Sequence, residues 1–128
     1  MRRVLPAMVI AGALLAACGS SGSSKPAAEP TPTNLQGKTA VEIDAKSNQW
    51  TPNNIIVDVG TKVTWRNTDP VLHNIKKSAD AIDFGAKFGL DSFSPGATYS
   101  FTFTKAGTFP YVCTIHAGMT GKVKVVGK

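Results

Sequence analysis

Gly107-Thr108-Phe109-Pro110-Tyr111-Val112-Cys113-Thr114-Ile115-His116-Ala117-Gly118-Met119 is the stretch on which the reading of this chain turns. Its first half alternates. Phe109, Tyr111 and Cys113 fall on one face of an extended strand, because side chains on a strand change face at every residue. Its second half drops the alternation and sets a thiol, an imidazole and a thioether at the spacing Cys-x2-His-x2-Met. A strand that ends at Cys113 and turns lets His116 fold back toward the sulfur and Met119 close over it, so one short loop offers three donors.

A fourth donor stands far upstream. The chain holds 2 His, 2 Cys and 3 Met. Beyond Cys18 these residue types are represented only by His73, Cys113, His116 and Met119, so no such donor is spare. One thiolate and two imidazoles in a trigonal base, with a weak axial thioether, are the ligand set of a mononuclear type 1 copper site. Taken singly, each residue is ordinary: a lone loop His is polar surface, and a lone Met or Cys is core filling. Together they specify a metal. Zinc is the nearest chemical rival, but it favours a closed tetrahedral set of Cys, His or carboxylate ligands, and thioether serves it poorly. A Cys18–Cys113 disulfide is the other use of the thiol; it would tie a loose tail to a strand end and leave both His and Met119 without a role.

Outward from this segment the pattern is β. Val41 and Ile43 alternate with polar neighbours, Ile55 to Val59 runs into Gly60, and Val63-Thr64-Trp65-Arg66-Asn67 follows a short turn. Tyr99, Phe101 and Phe103 alternate with Ser and Thr, and Lys122-Val123-Lys124-Val125 closes the chain. About 7–8 short strands separated by Gly and Pro turns predict an all-β Greek-key β-sandwich. Trp65, Phe101, Phe103, Phe109 and Tyr111 are the expected core. Ser78 to Phe93 is the least regular stretch, with a short helical turn expected within Asp80 to Lys87. Pro110 inside a strand requires that its missing N–H face away from the ladder.

The same segments resemble the cupredoxins, the plastocyanin and amicyanin family of small blue-copper proteins. The resemblance rests on Gly107 to Cys113, on Leu72-His73-Asn74-Ile75, and on Trp50-Thr51-Pro52, Gly60 to Asn67 and Ser94-Pro95-Gly96, and it covers roughly Thr39 to Val126. It implies a cupredoxin-like sandwich and one type 1 copper ion cycling between Cu(I) and Cu(II). It implies electron transfer without substrate turnover, and transient docking of a redox donor and acceptor near His116. It also implies that Asn74 ties the His73 segment to Cys113–Thr114, with a backbone N–H directed at the Cys113 sulfur. Ala117 departs from the Pro that many short-loop relatives carry after the second His.

Residues 1–17 read as a lipoprotein signal peptide: Arg2 and Arg3, an apolar run, then Leu15-Ala16-Ala17 before Cys18, the residue expected to carry lipid. Residues 18–37 are Ser-, Gly- and Pro-rich and read as a flexible tether, with residues 38–128 as the folded domain. Without Arg2 and Arg3, 12 basic residues face 8 acidic ones, a net charge of +4. With no basic stripe interleaved by aromatics, this excludes nucleic acid as a partner. The expected protein is exported, monomeric and lipid-anchored, facing the periplasm or the cell exterior. No Ser/His/Asp set, carboxylate pair or phosphate loop supports an enzyme. Copper binding and delivery is the alternative use of the same ligands.

Overall fold

Alternating apolar residues make strands that bury one face, and here two sets of such strands bury their apolar faces against each other. The computed structural model of the chain describes Gly19, Gly22 and residues 28–128. The expected signal peptide, Cys18 and most of the expected tether lie outside these residues. The elements in chain order are β1 (Thr33–Asn34), β2 (Ala40–Lys46), β3 (Gln49–Thr51), β4 (Asn54–Asp58), β5 (Lys62–Asn67), β6 (His73–Lys77), β7 (Leu90–Phe93), β8 (Thr98–Thr102), β9 (Gly107–Val112) and β10 (Thr120–Val126). Among the described residues there is no helix. One sheet runs β1-β4-β10-β9-β6-β7 and the other β3-β2-β5-β8. Both are mixed, with β1, β4 and β10 parallel in the first and β2 and β5 parallel in the second.

The strands number more than the expected 7–8 because two pieces are very short, β1 with 2 residues and β3 with 3. β1 lies before residue 38, within the expected tether. Thr33 and Asn34 pair with Ile55 and Ile56, the Leu35 N–H donates to the Ile56 carbonyl at 2.8 Å, and Leu35 packs on the core. A polar segment can join a sheet edge because the backbone, not the side chains, supplies the ladder.

The helical turn expected within Asp80 to Lys87 is absent. Asp83 instead accepts the Gly85 N–H at 3.0 Å, a local side-chain bond that competes with helix formation, and Gly85 takes φ 82°. The loop is anchored by Phe84, buried against Phe88 and Phe109 with ring centroids 4.4 and 4.9 Å away. Trp50, Trp65, Tyr111, Phe93, Phe103 and Phe109 are the largest buried side chains; a fully buried Phe stabilises by about 1.5–3 kcal/mol.

Pro110 lies in β9, which is an interior strand between β10 and β6. Its carbonyl accepts the Ser78 N–H at 3.1 Å, so its own ring nitrogen faces the same side. The β6 ladder runs out there: its pairs with β9 are Lys76–Val112 and Lys77–Tyr111. The missing donor therefore falls beyond the end of a neighbour rather than inside a ladder.

Candidate metal centre

The β6–β9 register brings the two donor segments together. β9 ends at Val112, opposite Lys76, and continuing that antiparallel register two residues sets Asn74 opposite Thr114. His73 opens β6 and Cys113 follows β9, so both leave the same end of the sheet. The loop from Cys113 then folds on itself: Met119 N–H donates to the His116 carbonyl at 3.4 Å, and Cys113 N–H to the Met119 carbonyl at 2.9 Å. Gly118 permits the return with φ 74°, a conformation that costs an L residue about 1–2 kcal/mol.

The donor atoms of His73, Cys113 and His116 lie within 4.8 Å of one another. Cys113 Sγ is 3.8 Å from His73 Nδ1 and 3.7 Å from His116 Nδ1, and the two nitrogens are 3.0 Å apart. The centre of a triangle with those sides is about 2.0 Å from each corner, within the range of bonds from a first-row metal to imidazole nitrogen and close to those to thiolate sulfur. The residues therefore fit a single transition-metal ion. His73 is 0 % exposed and Cys113 4 %, while His116 is half-buried. Cys113 is a free thiol. Met119 is fully buried, and its carbonyl accepts the Cys113 N–H, which sets its backbone beside that of Cys113.

Asn74 clasps the Cys113 loop. Its Nδ2 donates to Thr114 Oγ1 at 2.7 Å, and its Oδ1 accepts the Thr114 N–H at 2.8 Å. The Cys113 sulfur lies within reach of both imidazoles. Trp50 packs on the His73 ring, centroids 6.3 Å apart, and excludes water from that side.

Sequence reasoning missed Asp69. Its Oδ2 lies 2.9 Å from His73 Nε2, on the edge of the ring opposite the donor nitrogen. Burial pushes this carboxyl up, but the N–H groups of Asn48 and Ser47 and the contact with His73 outweigh it and hold it below the usual carboxylate value. The only available signal was Asn67-Thr68-Asp69-Pro70, which reads as a turn and nothing more.

Residues 37–126 match the model of the copper-binding proteins of the plastocyanin/azurin family. The chain belongs to that family. This cupredoxin is 32% identical to the amicyanin of Paracoccus denitrificans over 121 residues, covering 91% of this chain and 92% of that protein. It is 33% identical to amicyanin-alpha of Methylorubrum extorquens over 120 residues, covering 93% and 98%. A plastocyanin from Sambucus nigra is 37% identical over 83 residues, covering 58% of this chain and 84% of that protein. Among solved structures, the reduced state of an amicyanin mutant superposes with TM-score 0.59 at 34% identity, covering 68% of this chain and 82% of that one. The copper-containing nitrite reductase of Thermus scotoductus SA-01 also matches, with TM-score 0.59 at 25% identity, but the match covers only 23% of that enzyme. The cofactor of the cupredoxin fold is one copper ion, and His73, Cys113 and His116 form a group able to hold it.

Proposed function

We propose that this cupredoxin carries single electrons between extracytoplasmic redox proteins, tethered to a membrane by lipid on Cys18. The observation that carries the reading is the donor triangle of two imidazole nitrogens and one thiolate sulfur, with sides of 3.0, 3.7 and 3.8 Å. Copper, when bound, supplies reversible one-electron chemistry. The chain's residues do the rest. His73 and Cys113 are buried and fix two corners against water, and the Asn74–Thr114 clasp keeps the two loops in place through a change of charge. Met119 would offer a weak thioether to the ion and so tune its potential.

His116, half-buried, is the outlet to partners. Three of the large apolar side chains exposed among the described residues flank the ligands in sequence: Val71 and Leu72 before His73, and Ile115 before His116. Such a surface suits brief docking of a donor and an acceptor, without a permanent partner and without substrate turnover. Lys76 and Lys122, candidates for a charged rim, are already paired with Asp91 and Glu29 on the surface and add little to affinity.

The deciding experiment is a visible spectrum of the copper-loaded protein with a measurement of electron self-exchange. An intense thiolate-to-copper band and rapid exchange are expected. Copper held without that band, and surrendered to a metal-free acceptor, overturns electron carriage in favour of delivery. Mass analysis of the exported protein tests the anchor separately: a diacylglycerol-modified Cys18 at the mature terminus is expected, and an unmodified terminus sinks the tether.

A further inference from the structure

The carboxylate of Asp69 is built into the fold more firmly than any surface acid. Oδ1 accepts the Ser47 N–H at 2.6 Å, and Oδ2 accepts the Asn48 N–H at 2.9 Å. The Asp69 N–H donates to Asn67 Oδ1 at 3.0 Å, and Asn67 Nδ2 in turn donates to the carbonyls of Val71 and Phe93 at 2.9 and 2.8 Å. The loop between β5 and β6 is thus clamped on both sides of Asp69. What remains of its acceptor capacity points at His73 Nε2, 2.9 Å away, where the ring is 0 % exposed. The ring side of that hydrogen bond is closed to solvent.

The donors come from a distant hairpin. Lys46 pairs with Gln49, so Ser47 and Asn48 are the whole β2–β3 connection. A two-residue hairpin of this kind needs positive φ at both positions, and Ser47 and Asn48 adopt 54° and 56° without being glycine. The same geometry turns two successive N–H groups toward one carboxylate, a small anion-binding nest.

We infer that Asp69 is a positioning residue: held by the Ser47–Asn48 turn, it keeps His73 protonated at Nε2 with Nδ1 turned to the metal site, and its negative charge favours Cu(II) over Cu(I). A carboxylate on the far nitrogen of a ligand imidazole fixes the tautomer and raises its basicity. The inference rests on the copper reading for its redox part only; the tautomer follows from the hydrogen bonds alone.

The test has two arms on the full chain. In the metal-free protein, long-range nitrogen–proton correlation spectra assign the His73 tautomer, with a slowly exchanging Nε2–H expected. In the copper-loaded protein, Asp69→Asn keeps the shape but removes the charge and sets an amide NH2 against existing donors. Its midpoint potential is expected to rise by about 59 mV or more, roughly a tenfold change in the ratio of Cu(I) to Cu(II) affinity, and the Nε2–H of the diamagnetic Cu(I) form is expected to exchange faster. An Nδ1–H tautomer in the metal-free wild type overturns the inference, even if the variant fails to fold. A folded Asp69→Asn protein with unchanged potential and unchanged exchange overturns it as well. Loss of the copper reading itself shows differently, as a wild-type protein without thiolate-to-copper absorption.

Discussion

At the scale of single residues, Tyr111 and Gly121 show how tightly the ground beneath the metal loop is packed. The two are opposite each other across β9 and β10. A Cβ on Gly121 would lie 2.2 Å from the Tyr111 ring, which is pinned between Trp50 and Trp65 with centroids 5.5 and 5.3 Å away. Gly121→Ala is therefore expected to cost about 1–3 kcal/mol from overpacking, read as a lower denaturant midpoint. It should also disturb the copper spectrum, since Tyr111 is two residues from Cys113. Gly118→Ala meets no atom within 4 Å and pays only for φ 74°, about 1–2 kcal/mol. A Gly121 variant as stable as wild type would deny the packing argument. Burial also pushes the Tyr111 hydroxyl above its ordinary value of 10.0. The sign follows: the neutral phenol is favoured in the fold, so this stability is fully present below pH 10.0 and is lost as pH rises further. Tyr111 should add no phenolate absorbance in alkali until the protein unfolds; a reversible phenolate from both tyrosines in the folded state contradicts this. The candidate group of His73, Cys113 and His116 was legible at this scale because chemistry-bearing residue types are few in this chain. Asp69 was not, because a carboxylate four residues before a histidine in a turn has no distinctive spacing, and its role comes from Ser47 and Asn48 in the distant β2–β3 turn.

At the scale of elements, the site is a consequence of strand register. The pairing of β6 with β9 sets Asn74 against Thr114, and the two hydrogen bonds between them carry that register past the ends of the strands. Asn74→Ala should leave the Thr114 N–H unpaired and cost about 1–3 kcal/mol, with the added signature that the loss is shared by the metal-free and copper-loaded forms. Chemical denaturation of both forms measures it, and an undiminished midpoint in either would mean that the clasp is ornamental. The strands with clear alternation, β2, β5 and β9, were readable because one face of each meets the core. β1 was not, since both its residues are exposed and only its backbone is used. The helical turn expected within Asp80 to Lys87 does not form, because the Asp83–Gly85 bond and the packing of Phe84 decide otherwise.

At the scale of the whole molecule, the metal end is tied together by the protein's own bonds: the Asn74 clasp, the Asp69–His73 pair and the Cys113–Met119 backbone bond join the segments that carry the donors. A site formed in this way binds copper without folding around it, so the metal-free chain should keep its β-sheet content. Copper nevertheless favours the native state by mass action, because the unfolded chain scatters His73, Cys113 and His116 along the sequence. At one hundred times the dissociation constant this linkage is worth about 2.7 kcal/mol. For a domain of this size each kcal/mol moves the melting temperature by about 4–8 °C. Removing copper should therefore lower Tm by about 10–20 °C under such conditions, with the gap widening as free copper increases and the far-ultraviolet spectrum unchanged before the transition. Calorimetry with and without a chelator measures the difference. Equal melting temperatures would mean that the triangle does not hold the ion in the native state, and loss of sheet signal on chelation would mean that the metal, rather than Asn74 and Asp69, assembles this end of the fold.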